Sequence, residues 1–248
     1  MKNTCLSQAI EEIPSPEIEL MQGVKWGRCD QLFTPAYWKI QYKLHEDCFN
    51  VPNYRIGENL LHEISACILG GFGIKAEMAM TAFERLRDEG LLELGVEYDK
   101  VYNTLSAPFY LNTRKVHYRF PKQKAKYLFD FFQRNDLSTI PIQNDIALRT
   151  WLLSVKGIGL KTASWITRNW LHSSNVAILD IHIQRAGLIA GFFQGDFSIA
   201  KDYLILEKQY LDFCSALNVN PANLDALIWL QLKMANNIAI DLVNNNNN

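Results

Sequence analysis

Two glycines, Gly157 and Gly159, interrupt a stretch of sequence that otherwise follows the apolar spacing of helices from Asn144 to Leu171. Glycine permits positive φ angles and close backbone approach, so the pattern predicts two helices joined by a short turn, an αα-hairpin. The first amides of a helix have no acceptor within that helix, and such a terminus can bind phosphate. A helix–helix turn that binds no ligand is the alternative interpretation.

The rest of the chain repeats the helical spacing, with proline at predicted helix starts and glycine after predicted helix ends. Further helices are predicted to start after Thr34 and at Pro121 and Pro221, and to span residues 58–69, 76–89, 180–190 and 198–217. The strand candidates, Phe109 to Leu111 and Val176 to Ile178, are too short to force a sheet. The predicted fold class is therefore all-α.

Composition and cysteine usage narrow the setting in which the protein works. The chain has 248 residues, of which 48% are hydrophobic, and this length can bury a sizeable core. No apolar run reaches the length of a membrane span, and the N-terminus lacks the basic-then-apolar build of a signal peptide. The five cysteines are far apart and form no CxxC pair, which argues against disulfides, zinc and iron–sulfur clusters. We expect a cytoplasmic protein without a membrane partner.

Charge is unevenly distributed, although the net charge is only −1. Residues 112–134 carry seven basic side chains against one acid, and residues 77–99 carry seven acids against two arginines. A basic face can bind a polyanion even when the net charge is near zero. Solvated helix faces are the alternative interpretation of these clusters.

A lysine and an aspartate follow the glycine pair at fixed spacing. The pattern reads Leu153-x-x-Lys156-Gly157-Ile158-Gly159-x-Lys161-Thr162-Ala163 and then Leu179-Asp180-Ile181-His182-x-x-Arg185. This combination resembles the helix-hairpin-helix DNA glycosylase superfamily. Within the superfamily the chain looks most like the compact bacterial 8-oxoguanine DNA glycosylase/AP lyases, which the segment from Leu69 to Arg87 also resembles.

The resemblance implies a helix-hairpin-helix glycosylase fold, with two helical subdomains and the active-site cleft between them. Residues 1–115 would form an acidic N-terminal subdomain that the C-terminal helices join, and residues 116–195 the catalytic subdomain. Residues 196–243 would complete the base pocket, and the asparagine tail 244–248 is expected to be disordered.

The resemblance also implies the catalytic residues. Lys161 would attack C1′ of the damaged nucleotide, expel the base and leave a Schiff base that allows β-elimination. Its amine must be neutral to attack, and desolvation or a nearby cation such as Lys156 is expected to favour that form. Asp180 would stabilise positive charge on the sugar, and its position at a helix start also fits a helix N-cap.

Further roles follow from the same resemblance. Phosphate contacts are expected from Gly157, Gly159, Lys156, Thr162, His182 and Arg185. A structural histidine, and an arginine that braces Asp180, are the alternatives for His182 and Arg185. The base pocket is expected to contain Trp229, Asp225 and Trp165, whereas the spacing of Trp229 also fits a core residue. Trp165 departs from relatives that place a small residue there, which leaves the identity of the base open. A monovalent cation could lie on the backbone carbonyls of Leu153, Val155 and Ile158, with no side-chain metal ligands.

These expectations describe a base excision repair enzyme that removes 8-oxoguanine from duplex DNA and nicks the strand. We expect it to act as a monomer with the nucleoid in the bacterial cytoplasm and to need no cofactor. An iron–sulfur cluster is not expected because the C-terminal part of the chain offers only Cys214. The Gly70–Ile74 loop and Arg119 are candidates for probing the DNA strands. The alternatives are a glycosylase for another modified base, in a specialised or defence role, and a non-catalytic DNA-binding module.

Overall fold

A computed structural model describes residues 10–49, 55–71, 73–111 and 113–246 of the chain. The helices are α1 (Pro35–Leu44), α2 (Leu60–Leu69), α3 (Ala76–Asp88), α4 (Tyr98–Ser106), α5 (Pro121–Phe132), α6 (Asp145–Leu153), α7 (Leu160–Leu171), α8 (Ile181–Ala190), α9 (Ile199–Ala216), α10 (Pro221–Met234) and α11 (Asn236–Asn246). Short 3-10 turns occur at Glu46–Phe49 and Leu137–Thr139. The predicted helical fold is confirmed, and none of the described helices is long and apolar enough to span a membrane.

The described strands form two small antiparallel pairs. Strand β1 (Glu19–Met21) pairs with β2 (Val24–Lys25), and β3 (Phe109–Leu111) pairs with β4 (Arg114–Val116). One of the two strand candidates from the sequence is therefore a strand. The other candidate, residues 176–178, has no strand partner among the described residues and is held by buried side chains instead.

Side-chain caps fix several of the predicted helix starts. The side chains of Thr34, Asn144 and Asn220 accept hydrogen bonds from amides in the first turns of α1, α6 and α10. Such caps satisfy donors that have no acceptor within the helix. Helix α8 ends at Gly191, whose φ of 84° lies in the left-handed region that glycine favours.

The chain divides into two compact units. The terminal unit contains Met1–Pro52 and Ser174–Asn248, and the hairpin unit contains Asn53–Ser173. These bounds differ from the predicted ones, which placed residues 53–115 and 116–173 in separate subdomains. The physical reason is that α4 packs against α5 and α2 packs against both α5 and α7, so these helices share one core.

The hairpin unit is built on fully buried aromatic and aliphatic side chains. Phe83 and Leu86 of α3, Phe131 of α5 and Leu148 of α6 are among them. Ile166 extends the same core to α7, so both helices of the hairpin are anchored in it. Burial of each such side chain contributes roughly 1.5–3 kcal/mol, which fixes the helices on either side of the glycine pair.

The terminal unit joins the first described helix to the last ones. Trp38 of α1 is fully buried and stacks on Phe33 with ring centroids 5.5 Å apart. Helix α10 packs against α1 and α8, and α11 also packs against α8. Ala239 of α11 is fully buried. The helix continues to Asn246, into the segment expected to be disordered, and residues 247–248 lie outside the described residues.

Candidate active site and DNA-contact residues

The two glycines of the hairpin have different reasons to be glycine. Gly157 has a φ of 90°, and a Cβ built on it would lie 2.5 Å from Cδ2 of Tyr127. A side chain at this position would therefore meet both backbone strain and a collision with an aromatic ring. The hairpin unit itself requires glycine at residue 157.

Gly159 has no such internal requirement. Its φ is −101°, and a Cβ built there meets nothing within 4 Å. Gly157 therefore uses the positive φ that glycine permits, whereas Gly159 is extended where the chain enters α7. No side chain caps this helix start. Its first amides therefore remain available to an external anion.

A network of charged side chains braces the turn from the α5 side. Lys156 donates from Nζ to Asp130 Oδ2 at 3.0 Å, and Lys126 donates to the same carboxylate. Burial alone would raise the pKa of Asp130, but these two ammonium groups lower it overall. Arg134 donates from Nη2 to the Ser154 Oγ at 2.9 Å. The basic side chains beside the turn thus also have partners within the hairpin unit.

Lys161 lies in the first turn of α7, and its side chain is exposed in the hairpin unit. The expectation that Lys156 acts as a nearby cation is weakened, because a carboxylate compensates its charge. Thr162 follows as a half-buried residue. The structure thus presents the amine of Lys161 at the same helix terminus as the uncapped amides.

Trp165 lies one helical turn beyond Lys161 and is half-buried. Its indole N–H faces Glu63, a fully buried residue of α2 that the sequence analysis did not identify. The Glu63 Oε2 accepts hydrogen bonds from the amides of Ile56 at 2.6 Å and Gly57 at 2.8 Å. Burial raises the pKa of this carboxyl group against the opposing effect of these donors. A glutamate in a helix carries no sequence signal of such burial.

Asp180 caps helix α8 in the terminal unit. Its Oδ1 accepts from the amides of His182 at 2.8 Å and Ile183 at 3.1 Å. The capping interpretation is therefore confirmed, and the cap orients the carboxylate. The extended segment before it is fixed by two residues that the sequence analysis missed. Glu207 accepts from the Ala177 amide at 2.8 Å, and Tyr203 accepts from the Leu179 amide at 3.1 Å.

The remaining candidates of the terminal unit lie on α8 and α10. The His182 and Trp229 rings meet edge to face with centroids 6.4 Å apart, and Lys233 Nζ lies 4.4 Å from the Trp229 ring centre. Trp229 is 43% exposed, so its interpretation as a core residue is wrong. Asp225, one turn earlier, is buried. Arg185 donates from Nη1 to Asn236 Oδ1 at 2.6 Å, which ties α8 to α11.

The predicted site residues fall into one group in each unit. The hairpin unit holds Lys156, Gly157, Gly159, Lys161, Thr162 and Trp165. The terminal unit holds Asp180, His182, Arg185, Asp225 and Trp229.

A basic cavity lies on the hairpin unit. It has a volume of about 580 Å³, and its lining includes Gly73, His117, one acidic side chain and three basic ones: Glu77, Lys75, Arg114 and Arg119. Arg119 donates from Nη1 to the Gly73 carbonyl at 3.3 Å. Arg119 and two residues of the candidate strand-probing loop, Gly73 and Ile74, therefore line one cavity.

The described residues 10–49, 55–71, 73–111 and 113–246 contain histidine, cysteine and carboxylate side chains that could ligate a metal. Within them no group of three or more histidine, cysteine, aspartate or glutamate side chains is arranged to hold a metal ion. In the hairpin turn, the carbonyl of Val155 accepts from the amide of Ile158 at 3.1 Å.

The helices and the hairpin turn give the chain the fold of the helix-hairpin-helix DNA glycosylases. Its fold is similar to the solved 8-oxoguanine DNA glycosylase of Thermotoga maritima, with a TM-score of 0.59 at 22% identity, over 80% of this chain and 97% of the other. A second similar structure is the Methanocaldococcus jannaschii 8-oxoguanine glycosylase/lyase in complex with a 15mer DNA containing 8-oxoguanine. The TM-score is 0.54 at 24% identity, over 78% of this chain and 86% of the other.

Sequence comparison narrows this class. The family model Ogg-HhH, described as 8-oxoguanine DNA glycosylase, matches residues 43–219, and the chain belongs to this family. An 8-oxoguanine DNA glycosylase/AP lyase of Metallosphaera sedula is 30% identical over 121 residues. That match spans 47% of this chain and 59% of the relative.

Proposed function

We propose that the protein is a bifunctional DNA glycosylase and AP lyase that removes 8-oxoguanine from duplex DNA. The observation that carries the proposal is the exposed Lys161 in the first turn of an uncapped helix, directly after the hairpin. Family membership supports this assignment, since the Metallosphaera sedula relative is named for both activities. The Methanocaldococcus jannaschii structure supports damaged DNA as the partner.

In the proposed reaction, the neutral amine of Lys161 forms a bond to C1′ while the bond from C1′ to the base breaks. The base leaves with the electron pair of that bond and takes up a proton. Opening of the sugar ring gives a Schiff base between Lys161 and C1′. Loss of a proton from C2′ then expels the 3′ phosphate and nicks the strand. Binding of DNA would remove water from the amine of Lys161. The free protein does not provide this desolvation, because the lysine is exposed.

Asp180 is assigned the role of stabilising the positive charge that develops on the sugar. Its carboxylate is held by two amides of its own helix, so it needs little reorganisation during the reaction. This preorganisation supports the catalytic assignment, and the same contacts stabilise the start of α8.

DNA binding is assigned to the backbone of the hairpin and to basic side chains around it. The amides at residues 159–162 would contact a phosphate, together with Lys156 and Thr162 of the same unit. His182 and Arg185 of the terminal unit are further candidates for phosphate contacts. Trp229 would stack on the extruded base, with Asp225 and Trp165 as further pocket residues. The basic cavity around Arg119 is assigned to the strand opposite the lesion.

The proposal requires no iron–sulfur cluster or organic cofactor. Burial raises the pKa of the Cys214 thiol, which disfavours the thiolate that a cluster would need. A monovalent cation on the carbonyls of Leu153, Val155 and Ile158 is compatible, since a carbonyl such as that of Val155 has a second lone pair. We further propose that the protein acts as a monomer on nucleoid DNA in the bacterial cytoplasm.

Borohydride trapping tests the proposed function. Wild-type protein is incubated with duplexes that carry 8-oxoguanine, other lesions or an abasic site. We expect a covalent complex on 8-oxoguanine that is lost in Lys161→Gln. The complex should be kept in Lys100→Gln, which changes an exposed lysine directly after the acidic stretch. Asp180→Asn should slow excision and leave duplex binding intact.

The other outcomes of this assay separate the alternatives. A covalent complex on another lesion but not on 8-oxoguanine would show that the enzyme excises a different base. Trp165, as a candidate residue of the base pocket, would then be the first position to substitute. Duplex binding without a covalent complex on any substrate would contradict the enzyme and support a binding module.

A further inference from the structure

The hairpin unit contains a buried lysine that the proposed chemistry does not use. Lys124 of α5 is 9% exposed, and its Nζ donates to the carbonyl of Ile68 at 2.6 Å and to that of Gly70 at 2.8 Å. Burial lowers the pKa of this side chain. Burying an ammonium group is costly unless strong acceptors surround it. The free-energy cost of burying Lys124 indicates that the two carbonyls must be held in place.

Those carbonyls belong to the end of helix α2 and the start of the following loop. The last carbonyls of a helix have no donors within it, and a left-handed glycine commonly satisfies them. Gly70 instead has φ −82° and ψ −162°, so the chain leaves α2 in an extended conformation. Lys124 takes the place of the usual cap, and the Tyr118 hydroxyl donates to the carbonyl of Leu69 between the two.

The same loop is tied to the basic cavity at its other end. Gly73 has a φ of 77°, and a Cβ there would collide with Nη1 of Arg119. Arg119 donates to the Gly73 carbonyl at 3.3 Å. The Ile74 amide donates to the Gly71 carbonyl at 3.1 Å, which closes the turn. Three side chains from residues 118–124 therefore hold carbonyls at 68, 69, 70 and 73.

We propose that Lys124 is a positioning residue that sets the loop after α2 against Arg119 and thereby fixes recognition of the DNA strand opposite the lesion. This inference rests on the proposed function. Lys124 does not touch the DNA in this assignment. It acts by holding the carbonyls of Ile68 and Gly70, which precede in sequence the Gly73 carbonyl that Arg119 contacts.

The test compares excision from duplex DNA with chemistry on a single strand. Single-turnover excision is measured on duplexes with 8-oxoguanine opposite cytosine or adenine, and borohydride trapping on a single-stranded abasic oligonucleotide. Lys124→Met is expected to lower the duplex rate by about tenfold or more and to reduce the opposite-base preference, because small misplacements of positioned groups have large rate effects. Trapping on the single strand should stay within about twofold, since it needs the amine but no partner strand.

Two variants separate positioning from charge. Lys122→Met removes an exposed lysine of the same helix and should keep the opposite-base preference. Lys124→Arg retains donors to the carbonyls and should recover part of the preference. Wild-type duplex rates and preference in Lys124→Met would overturn the inference, as would an equal loss on the single strand.

A third variant covers the case in which Lys124→Met does not fold. Tyr118→Phe removes the donor to the Leu69 carbonyl, which lies between the two carbonyls that Lys124 holds, and should shift the opposite-base preference in the same direction. An unchanged preference in Tyr118→Phe would then count against the inference. Failure of the proposed function itself is distinguishable, because wild-type protein would form no covalent complex on any substrate.

Discussion

Gly157 and Gly159 are one residue apart, yet they lack side chains for different reasons. The space beside Gly157 is filled by the ring of Tyr127, whereas the space beside Gly159 is open. The described protein neighbours would thus accept a side chain at residue 159. The open space lies at the uncapped start of α7, where we propose that a DNA phosphate binds.

Alanine at each position should therefore give opposite results. Gly157→Ala is expected to destabilise the protein by about 2–3 kcal/mol, through positive φ and a collision with Tyr127. Gly159→Ala should change stability by no more than about 0.5 kcal/mol but weaken duplex binding, because its methyl group stands beside the amides. Urea unfolding and a fluorescence binding titration measure the two effects. Wild-type affinity in Gly159→Ala would argue against the phosphate site.

Local sequence was sufficient to predict the structural role of residues that contact only their own helix. Asp180 could be predicted as a cap from its position alone, and the structure agrees. Glu63, Glu207 and Lys124 could not be found, because their partners are 6 to 56 positions away in the chain. A charged residue in a helix is usually exposed, and only tertiary packing reveals the exceptions.

The carboxylate of Asp136 stabilises the C-terminal end of helix α6. Asp136 accepts from Arg134 at 2.6 Å and from the Trp151 indole at 2.8 Å, and Arg134 also reaches the cap residue Ser154. The hydrogen bond from Arg134 is the main cause that lowers the pKa of Asp136. This arrangement connects the segment after α5 to the first helix of the hairpin.

The stabilisation by Asp136 should depend on pH. Because its pKa is lowered in the folded state, its contribution is present above the unfolded value of about 4 and is lost as the pH falls further. Asp136→Asn is expected to cost about 0.5–1 kcal/mol at pH 7, since the group is partly exposed. The difference from wild type should shrink towards pH 3 in urea unfolding. The exposed Asp99→Asn is the control, and a cost that does not change with pH would contradict the assignment.

Helix starts were more predictable than helix ends. The caps at Thr34, Asn144 and Asn220 are side chains that the sequence displays. Helix α7, in contrast, ends at His172 with a φ of 52°, a left-handed position without glycine. The amide of Ser173 donates there to the backbone carbonyl of Arg168 at 3.1 Å, which closes a turn that composition does not indicate.

The two structural units correspond neither to the two halves of the sequence nor to its acidic and basic stretches. The hairpin unit is one continuous segment, whereas the terminal unit combines the two ends of the chain. Periodicity predicted the helices, but it contains no information about which distant helices share a core. That is why the predicted boundary at residue 115 falls within the hairpin unit.

A continuous unit with its own core should fold by itself. We expect the fragment 53–173 to show a cooperative urea transition and helical circular dichroism. The fragment 174–248 should show no such transition, because it lacks α1 and the buried Trp38. Addition of a peptide covering residues 1–52 should restore helicity to it. A fragment 53–173 without a cooperative transition would refute the independence of the hairpin unit.

The split terminal unit has a consequence for biosynthesis. A ribosome makes residues 1–52 first and then needs on the order of 10 s to complete the segment Asn53–Ser173. During this interval residues 1–52 must stay free of aggregation without their partner helices. At its end the hairpin unit has all of its residues, whereas the terminal unit does not. A translation product that stops near residue 173 therefore carries the proposed nucleophile on a complete unit and lacks the segment that bears Asp180.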